Sequence, residues 1–283
     1  MFGVDRQVYY RRKQSVRRRK SRASQVIELV GAIRFQMPKI GVRKLYFLLQ
    51  EELKRLNVGR DMLFRIMKAN HMLIIPKRRY HITTNSHHRF RKHKNLIENV
   101  VPEKPEQIWV SDITYVGNRQ NPMYLALITD AYSKQIMGYD VSSSLDVSGS
   151  LRALKMALKK RKYKNNVLTH HSDRGLQYCS NEYQDALNGA KLNCSMTESY
   201  DPYANAVAER VNGILKGEFI GYKNKCSLQT MEKLIESSIK TYNEKRPHFS
   251  CFYKTPRQMH NQNKIKIKTY KNKYPSKHVF TGI

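Results

Sequence analysis

Apolar residues recur at helical spacing in three stretches near the start of the chain. The first stretch covers residues 21–35, the second begins at Gly41, and the third extends over residues 60–70. The segment Asn57-Val58-Gly59 separates the second stretch from the third. Two short helices joined by a glycine-containing turn resemble a helix-turn-helix. A plain helical hairpin that only packs against its neighbours would show the same periodicity.

From residue 108 onwards the apolar pattern changes to that of a mixed α/β domain. Strands are predicted at residues 108–116, 124–129, 135–141, 167–169 and 192–196. Helices are predicted at residues 148–161, 181–190, 204–219 and 228–242. This order predicts a mixed five-stranded sheet flanked by helices and preceded by an all-α region, with the first three strands forming a meander.

Charge is distributed unevenly and changes the interpretation of both ends. Lys and Arg number 53 against 22 Asp and Glu, a formal net charge of +31. Residues 1–100 hold 25 of these cations and 6 of the acids, and residues 263–283 hold 6 cations and no acid. Such an excess favours a polyanion as partner, with nucleic acid ahead of membrane, whereas a solvated charged surface is the plain alternative. We expect residues 60–70 to enter the major groove of DNA, with Arg60, Arg65 and Lys68 as contacts.

Two basic segments lack the apolar residues of a core. Residues 11–20 are rich in arginine and are interpreted as a solvated or phosphate-contacting arm. Residues 77–94 are too polar to pack and are interpreted as a basic linker.

The cysteines and the hydropathy indicate the cellular setting. The four cysteines lie far apart with no CxxC pair, which argues against a zinc ribbon or a disulfide scaffold. No stretch approaches the ~20 apolar residues of a membrane span, and the first residues contain no apolar signal region. We therefore expect a cytoplasmic protein of a reducing compartment.

One acid is conspicuous in the middle of the chain. Asp112 lies inside the apolar strand IWVSDITYV, where aspartate is depleted, so it needs a partner or a function. Asp173 follows the predicted fourth strand and precedes a glycine, and Glu209 lies in the first part of a helix. Taken singly, Asp173 fits a turn residue and Glu209 fits an exposed helical acid.

Carboxylates from two strands and a helix suit hard divalent ions. Such ions prefer oxygen ligands, and two of them ~4 Å apart assist phosphodiester displacement. Asp112, Asp173 and Glu209 are therefore candidate ligands for Mg²⁺ or Mn²⁺, with two ions per site.

Asp173 and Glu209 are separated by 35 residues, and Lys216 follows Glu209 by seven. Five segments contain or follow these acids over about residues 104–262: WVSDITYV, YLALITDAYSKQIMGYDV, HHSDRGLQYCSNEY, SMTESYDPYANAVAERVNGILKGEF and YNEKRPHFSCFYKTP. Together and in this order they resemble the catalytic core of DDE transposases and retroviral-type integrases, and most closely the OrfB-type transposase of the insertion-sequence-three family. The resemblance implies a ribonuclease-H-like fold and the catalytic triad Asp112, Asp173 and Glu209.

The resemblance also bears on the domain organisation. VDRQVYYRRK, GVRKLYFLLQ and VGRDMLFRIMKANHML are similar to the family's entry motif and N-terminal helix-turn-helix. We expect a basic DNA-binding region over residues 1–76, a basic linker over residues 77–103, a catalytic core over residues 104–262 and a basic tail over residues 263–283.

Several further residues are candidates for DNA contact. Seven residues of an α-helix make nearly two turns, so Lys216 is expected on the face of Glu209, where the family carries Lys or Arg. Asn212 shares that face. His171 either positions the scissile phosphate or packs at a strand end. Tyr203 and Asn205 occupy a loop with which family members contact DNA.

Three other residues are expected to be structural. Asp130 matches a family position, and we interpret it as structural and not as a metal ligand. Pro247 and His248 belong to a closing motif that we expect to pack beneath the last helix.

The implied activity is transposition. Water cleaves a phosphodiester at the element's end, and the released 3′-OH attacks another phosphodiester with no covalent protein intermediate. The resemblance further implies a homo-multimer on paired DNA ends, fusion with or binding to an upstream-frame protein, and nucleoid association. Two rival interpretations stay open: a DNA-binding repressor or assembly partner, and a metal-dependent nuclease without joining activity.

Overall fold

The computed structural model describes residue 3 and residues 5–75, 93–98, 100–118, 120–197, 206–221 and 226–267. Its first part is helical, with α1 at Arg6–Gln36, α2 at Val42–Leu48, α3 at Gln50–Arg55 and α4 at Arg60–Ala69. The second part holds strands β1 Ile108–Tyr115, β2 Tyr124–Asp130, β3 Ile136–Ser142, β4 Thr169–Ser172 and β5 Asn193–Met196. The remaining helices are α5 Val147–Lys160, α6 Leu176–Cys179, α7 Asn181–Gly189, α8 Ala206–Ile214, a π-helix Leu215–Ile220, α9 Leu228–Lys245, a 3-10 helix Phe249–Cys251 and α10 Pro256–His260.

Helix α1 is much longer than the sequence indicates. It begins at Arg6, where Asp5 accepts a hydrogen bond from the backbone N–H of Gln7 at 3.0 Å. The arginine run is therefore the exposed first half of a helix, and its interpretation as a solvated or phosphate-contacting arm stays a prediction. Arg, Lys and Gln are good helix formers, which explains a helix where no apolar stripe exists. The buried residues of α1 are Val26 and Val30, both in its second half.

The helices before the linker follow the predicted order, with one division. The stretch after Gly41 is split at Leu49 into α2 and α3. Helix α3 ends at Arg55, and Asn57 just beyond it, with a positive φ of 52°, turns the chain towards α4. Buried Leu63 and Met67 fix α4 in the core, and Arg60, Arg65 and Lys68 are exposed on it.

The sheet has the order β3-β2-β1-β4-β5, mixed as predicted. Strands β1, β2 and β3 form an antiparallel meander, and β4 and β5 run parallel to β1. Strand β4 lies at Thr169–Ser172, later than the predicted residues 167–169. The difference arises because the polar residues that follow Thr169 find partners inside the fold: His170 contacts Ser111 and Tyr183, and His171 contacts Ser195.

Helix α5 approaches β3 closely at Gly138. A Cβ atom there would lie 2.0 Å from the carbonyl oxygen of Ala153 and 2.9 Å from the nitrogen of Ala157. We expect Gly138→Ala to lower the free energy of unfolding by about 2–3 kcal/mol, because helix backbone has to move.

The matched change is Gly31→Ala, inside α1, where nothing lies within 4 Å of the added Cβ. It should raise the free energy of unfolding by about 0.5–1 kcal/mol, because glycine is unfavourable within helices. Urea unfolding of both variants measures the contrast. Equal midpoints for Gly138→Ala and the parent chain would contradict the packing of α5 on β3.

The N-terminal helices pack against the sheet-bearing part of the chain. One cluster of buried apolar side chains includes Val30 of α1 and Leu63 of α4 together with Phe219 and Met231. Lys245 donates a hydrogen bond to Gln36 at 2.8 Å, so polar contacts also join the two parts. Apolar and polar contacts therefore join the N-terminal helices to the sheet-bearing part of the chain, across the predicted boundary between the two regions.

Parts of the predicted linker and tail are also packed. The backbone N–H of Leu96 donates to Ser195 Oγ at 2.8 Å, beside the edge strand β5. Ile265 and Ile267 contact a small buried cluster that contains Tyr132 and Met259. Within the described part of the chain, no helix is both long and apolar enough to cross a membrane.

Candidate active site

Asp112 and Asp173 lie on neighbouring strands. The parallel register pairs Val110 of β1 with His171 of β4. Continuing this register by two residues places Asp112 opposite Asp173, on the same face, where β4 ends. Both side chains are partly buried. The tertiary pairing thus brings together two acids that are far apart in sequence.

Helix α8 adds a third acid and an amide. Ala208 packs in one buried cluster with Val110, which lays the helix against β1. Asn212 Nδ2 donates a hydrogen bond to Asp112 Oδ2 at 2.6 Å. Glu209, in the first turn of α8, is exposed.

The electrostatics of Asp112 show that the acids are neighbours. Burial raises the pKa of Asp112 to about 7, and the negative charges of Asp173 and Glu209 contribute to that rise, against the lowering effect of the Asn212 hydrogen bond. Among the residues that the structure describes, no three His, Cys, Asp or Glu side chains are grouped tightly enough to hold a metal ion. The three acids therefore interact without forming a preformed ligand cage.

Lys216 reaches the same site by a different route from the predicted one. The prediction of an uninterrupted α-helix over residues 204–219 is wrong from residue 215 onwards, because a π-helix begins at Leu215. Lys216 Nζ nevertheless donates to Thr114 Oγ1 at 3.1 Å, two residues beyond Asp112 on β1. Burial lowers the pKa of Lys216, and the charge of Asp112 opposes that shift. Single π turns inside α-helices are frequent at functional sites.

His171 is fully buried, and its Nδ1 pairs with Ser195 Oγ at 2.9 Å. Burial lowers the pKa of His171 to about 4, so the ring is neutral at pH 7. Of the two alternatives, the structure therefore favours packing at a strand end over contact with a phosphate. Tyr203 and Asn205 lie outside the described residues.

Asp130 is structural, as expected. Its Oδ1 accepts hydrogen bonds from the backbone N–H and the hydroxyl of Ser133, both at 2.7 Å. Its Oδ2 accepts one from the backbone N–H of Glu106 at 2.7 Å. Pro247 and His248 are buried after α9, which confirms the packing role of the closing motif.

Sequence reasoning missed the pair Glu218 and Arg246. Arg246 donates two hydrogen bonds to the carboxylate of Glu218, at 2.6 and 2.7 Å, and is itself buried. The available signal was the position of Arg246 immediately before Pro247, in the closing motif that was expected to pack. An acid on an amphipathic helix, by contrast, is usually solvated, so Glu218 gave no signal.

Comparisons with known proteins agree with this architecture. Residues 102–202 match the family described as Integrase core domain, and residues 190–256 match a second family of the same description. A 31 kDa protein of insertion element IS600 from Shigella sonnei is 33% identical, over 88% of this chain and 92% of its own length. The transposase InsF of insertion sequence IS3A from Escherichia coli K12 is 35% identical, over 60% of this chain and 59% of its own.

Among solved structures, a chain of the simian T-cell lymphotropic virus intasome has a similar fold. The TM-score is 0.51 at 19% identity, over 84% of this chain and 81% of that one. The ribonuclease-H-like sheet and the matched core define a polynucleotidyl transferase of the DDE type. The chain belongs to the insertion-sequence-three family of transposases, which carry an integrase core.

Proposed function

We propose that Asp112, Asp173 and Glu209 hold two divalent metal ions with which this transposase cleaves the ends of its element and joins the 3′-OH to target DNA. The observation that carries the proposal is the convergence of two acids in strand register with a third on the helix packed over them. Transposition itself follows from membership of the family.

The donor set fits a hard cation such as Mg²⁺ or Mn²⁺. Each candidate ligand is a carboxylate, and hard divalent ions prefer oxygen donors. The raised pKa of Asp112 shows that its ionised form is disfavoured by burial and by the neighbouring carboxylates. A bound cation would favour that ionised form. When bound, two such ions activate the attacking oxygen and stabilise the leaving oxygen.

The chain's own residues orient this chemistry. Asn212 holds one oxygen of Asp112 and so restricts its rotation. Lys216, held at Thr114, presents a cation near Asp112, where it would bind a DNA phosphate. In cleavage, water attacks the phosphodiester and a 3′-OH leaves. In joining, that 3′-OH attacks a second phosphodiester and displaces another 3′-oxygen, so the protein forms no covalent bond.

We propose that the helices of residues 1–76 deliver the DNA. Helix α4 would lie in the major groove as the second helix of a helix-turn-helix, and Tyr203 and Asn205 would contact DNA near the site. Residues 77–103 would connect these helices to the catalytic core of residues 104–262, and the basic residues 263–283 would add phosphate contacts. Because two DNA ends are joined, the protein would act as a homo-multimer on the paired ends. It would also be fused with, or bind to, a protein encoded by an upstream reading frame.

The exposed cations of α4 make a direct test of DNA delivery. We expect Arg65→Ala or Lys68→Ala to weaken binding to an element end and to reduce the slope of log affinity against log salt by about 1 for each DNA phosphate that the variant no longer binds. Filter binding over a salt series measures this slope. Arg55→Ala, at an exposed cation on α3, serves as the comparison, and equal slopes for all variants would contradict the role of α4.

Joining distinguishes the proposal from its rivals. The full chain should convert a labelled DNA end into strand-transfer product when Mg²⁺ or Mn²⁺ is supplied. A metal-dependent nuclease would cut the end and never join it. A repressor or assembly partner would bind the end with neither reaction.

A further inference from the structure

The π-helix Leu215–Ile220 has two differently occupied sides. Lys216 extends towards β1, where it contacts Thr114 at 3.1 Å. Glu218, two residues later, contacts Arg246 on the side of α9. Residues two apart on a helix do not share a face, so one short segment connects the catalytic site with the end of α9.

The contact on the second side is a fixed one. Arg246 Nε and Nη2 donate to the two carboxylate oxygens of Glu218 at 2.7 and 2.6 Å, the bidentate geometry that gives Arg–carboxylate pairs their specificity. Only 1% of the Arg246 side chain is exposed. A buried guanidinium that loses this carboxylate is left uncompensated, so the pair strongly constrains where Glu218 can lie.

Arg246 is itself held from two directions. Its Nη1 donates to His248 Nε2 at 3.1 Å, and its guanidinium lies 5.9 Å from the centre of the Tyr242 ring. Burial and the charge of Arg246 keep the pKa of His248 well below its usual value, so its ring is neutral and can accept this hydrogen bond. We call the Arg246–Glu218 ion pair the clamp. It is supported by Tyr242 of α9 and by His248 of the closing motif that follows α9.

The N-terminal helices reach the same carboxylate. Lys44 of α2 lies 3.9 Å from Glu218 Oε1, and burial lowers the pKa of Lys44 to about 8. The proposed DNA-binding part of the chain thus contacts the residue at the opposite side of the π-helix from Lys216.

We infer that Arg246 is a positioning residue of the joining reaction: by clamping Glu218 it fixes the π-helix, and thereby holds the Lys216 ammonium beside the carboxylates. The inference rests on the proposed role of Lys216 in binding a DNA phosphate. Arg246 makes no contact with DNA in this scheme and acts only through Glu218 and the backbone between residues 216 and 218.

A double-mutant cycle tests whether the clamp acts through Lys216. Arg246→Met/Glu218→Met replaces the ion pair with apolar side chains, a change that often preserves a fold better than breaking the pair. Lys216→Ala removes the cation. Four proteins are compared: the unmutated chain, the Met/Met variant, Lys216→Ala and the variant that combines all three substitutions. The quantity measured is the rate of single-turnover strand transfer at limiting concentrations of a labelled DNA end.

Lys216→Ala should lower the rate about tenfold, the worth of one charged hydrogen bond. The Met/Met variant should lower it by about the same factor, and the combination should also stay near tenfold. Both losses should shrink at saturating DNA, because Lys216 binds the end and takes no part in the chemical step. Glu244→Gln breaks the exposed Arg257–Glu244 pair at the end of α9 and should leave the rate unchanged.

If the clamp acts independently of Lys216, the combined variant should lose about a hundredfold in strand-transfer rate, and the inference would be overturned. A Met/Met variant with the rate of the unmutated chain would overturn it as well. If thermal melting shows that the Met/Met variant is unfolded, Arg246→Lys replaces it. Lysine at position 246 retains the positive charge but cannot make the two parallel hydrogen bonds of arginine. The loss of strand-transfer rate caused by Arg246→Lys must vanish when Lys216→Ala is also present. Full activity of Lys216→Ala would remove the role of Lys216 and the inference together, while the carboxylate site is judged separately by Asp112→Asn.

Discussion

Asp112→Asn is expected to lower both DNA cleavage and strand transfer by at least about a thousandfold while the protein stays folded. The amide keeps the size of the side chain but loses the negative charge that a divalent cation needs. Loss of both reactions together is the specific expectation, because one set of carboxylates serves the two steps.

The same change should stabilise the metal-free protein. The pKa of Asp112 is raised from 3.8 to about 7, so its ionisation costs stability progressively as pH rises from about 4 to 7. Below that window the carboxyl is protonated in both the folded and the unfolded state, and no difference is expected. At pH 8 without divalent ions, Asp112→Asn should therefore melt at a higher temperature than the parent chain.

Melting curves and the joining assay together test this site. Mg²⁺ should raise the melting temperature of the parent chain by binding its folded state, and should have little effect on Asp112→Asn. Asp185→Asn, at an exposed acid on α7, is the matched control and should retain activity and its response to Mg²⁺. If Asp112→Asn cleaves and joins like the parent chain, the metal-site assignment is wrong.

His260→Ala is expected to lower the free energy of unfolding by about 3–5 kcal/mol at pH 6. His260 Nε2 lies 3.3 Å from Glu106 Oε1, and its Nδ1 lies 3.8 Å from Asp130 Oδ1. Both acids are fully buried. Removing the imidazolium would leave buried carboxylates short of their partner, and α10 would lose its polar anchor to the sheet.

This contribution should depend on pH in a defined direction. Burial alone lowers the pKa of His260, but its hydrogen bonds to Asp130 and Glu106 outweigh that effect and raise the pKa to about 9. A raised pKa stabilises the folded state fully below the unfolded value of about 6.5, and the stabilisation is lost as pH rises through 9. The difference between the parent chain and His260→Ala should therefore narrow between pH 6 and pH 10.

Urea unfolding at these two pH values measures the difference. His93→Ala, at a partly exposed histidine outside this cluster, controls for the general effect of losing a histidine. A gap that stays constant or widens towards pH 10 would show that His260 is not held as the charged partner of the two acids.

Apolar periodicity predicted the five strands, their order along the chain and two of the helices that separate them, α5 and α7, whereas the short helix α6 was not predicted. The predicted bounds of strand β4, residues 167–169, differ most from the observed strand Thr169–Ser172. The reason is that His170 and His171 are buried although they are polar. Hydropathy registers side-chain polarity and cannot register a hydrogen-bond partner from another strand. The same limitation hid the helical nature of the arginine-rich start of α1.

The sequence by itself determined the acids, their order and the family pattern around them, because these are properties of residue type and spacing. Only the tertiary structure decided that β1, which carries Asp112, pairs in parallel with β4, which Asp173 follows, because strand pairing is a contact between distant segments. It also decided that Lys216 lies on a π-helix, whose Glu218 is clamped by Arg246 from beyond α9. Helical periodicity is local, so it carries no signal for a contact between a π-helix and a side chain distant in sequence.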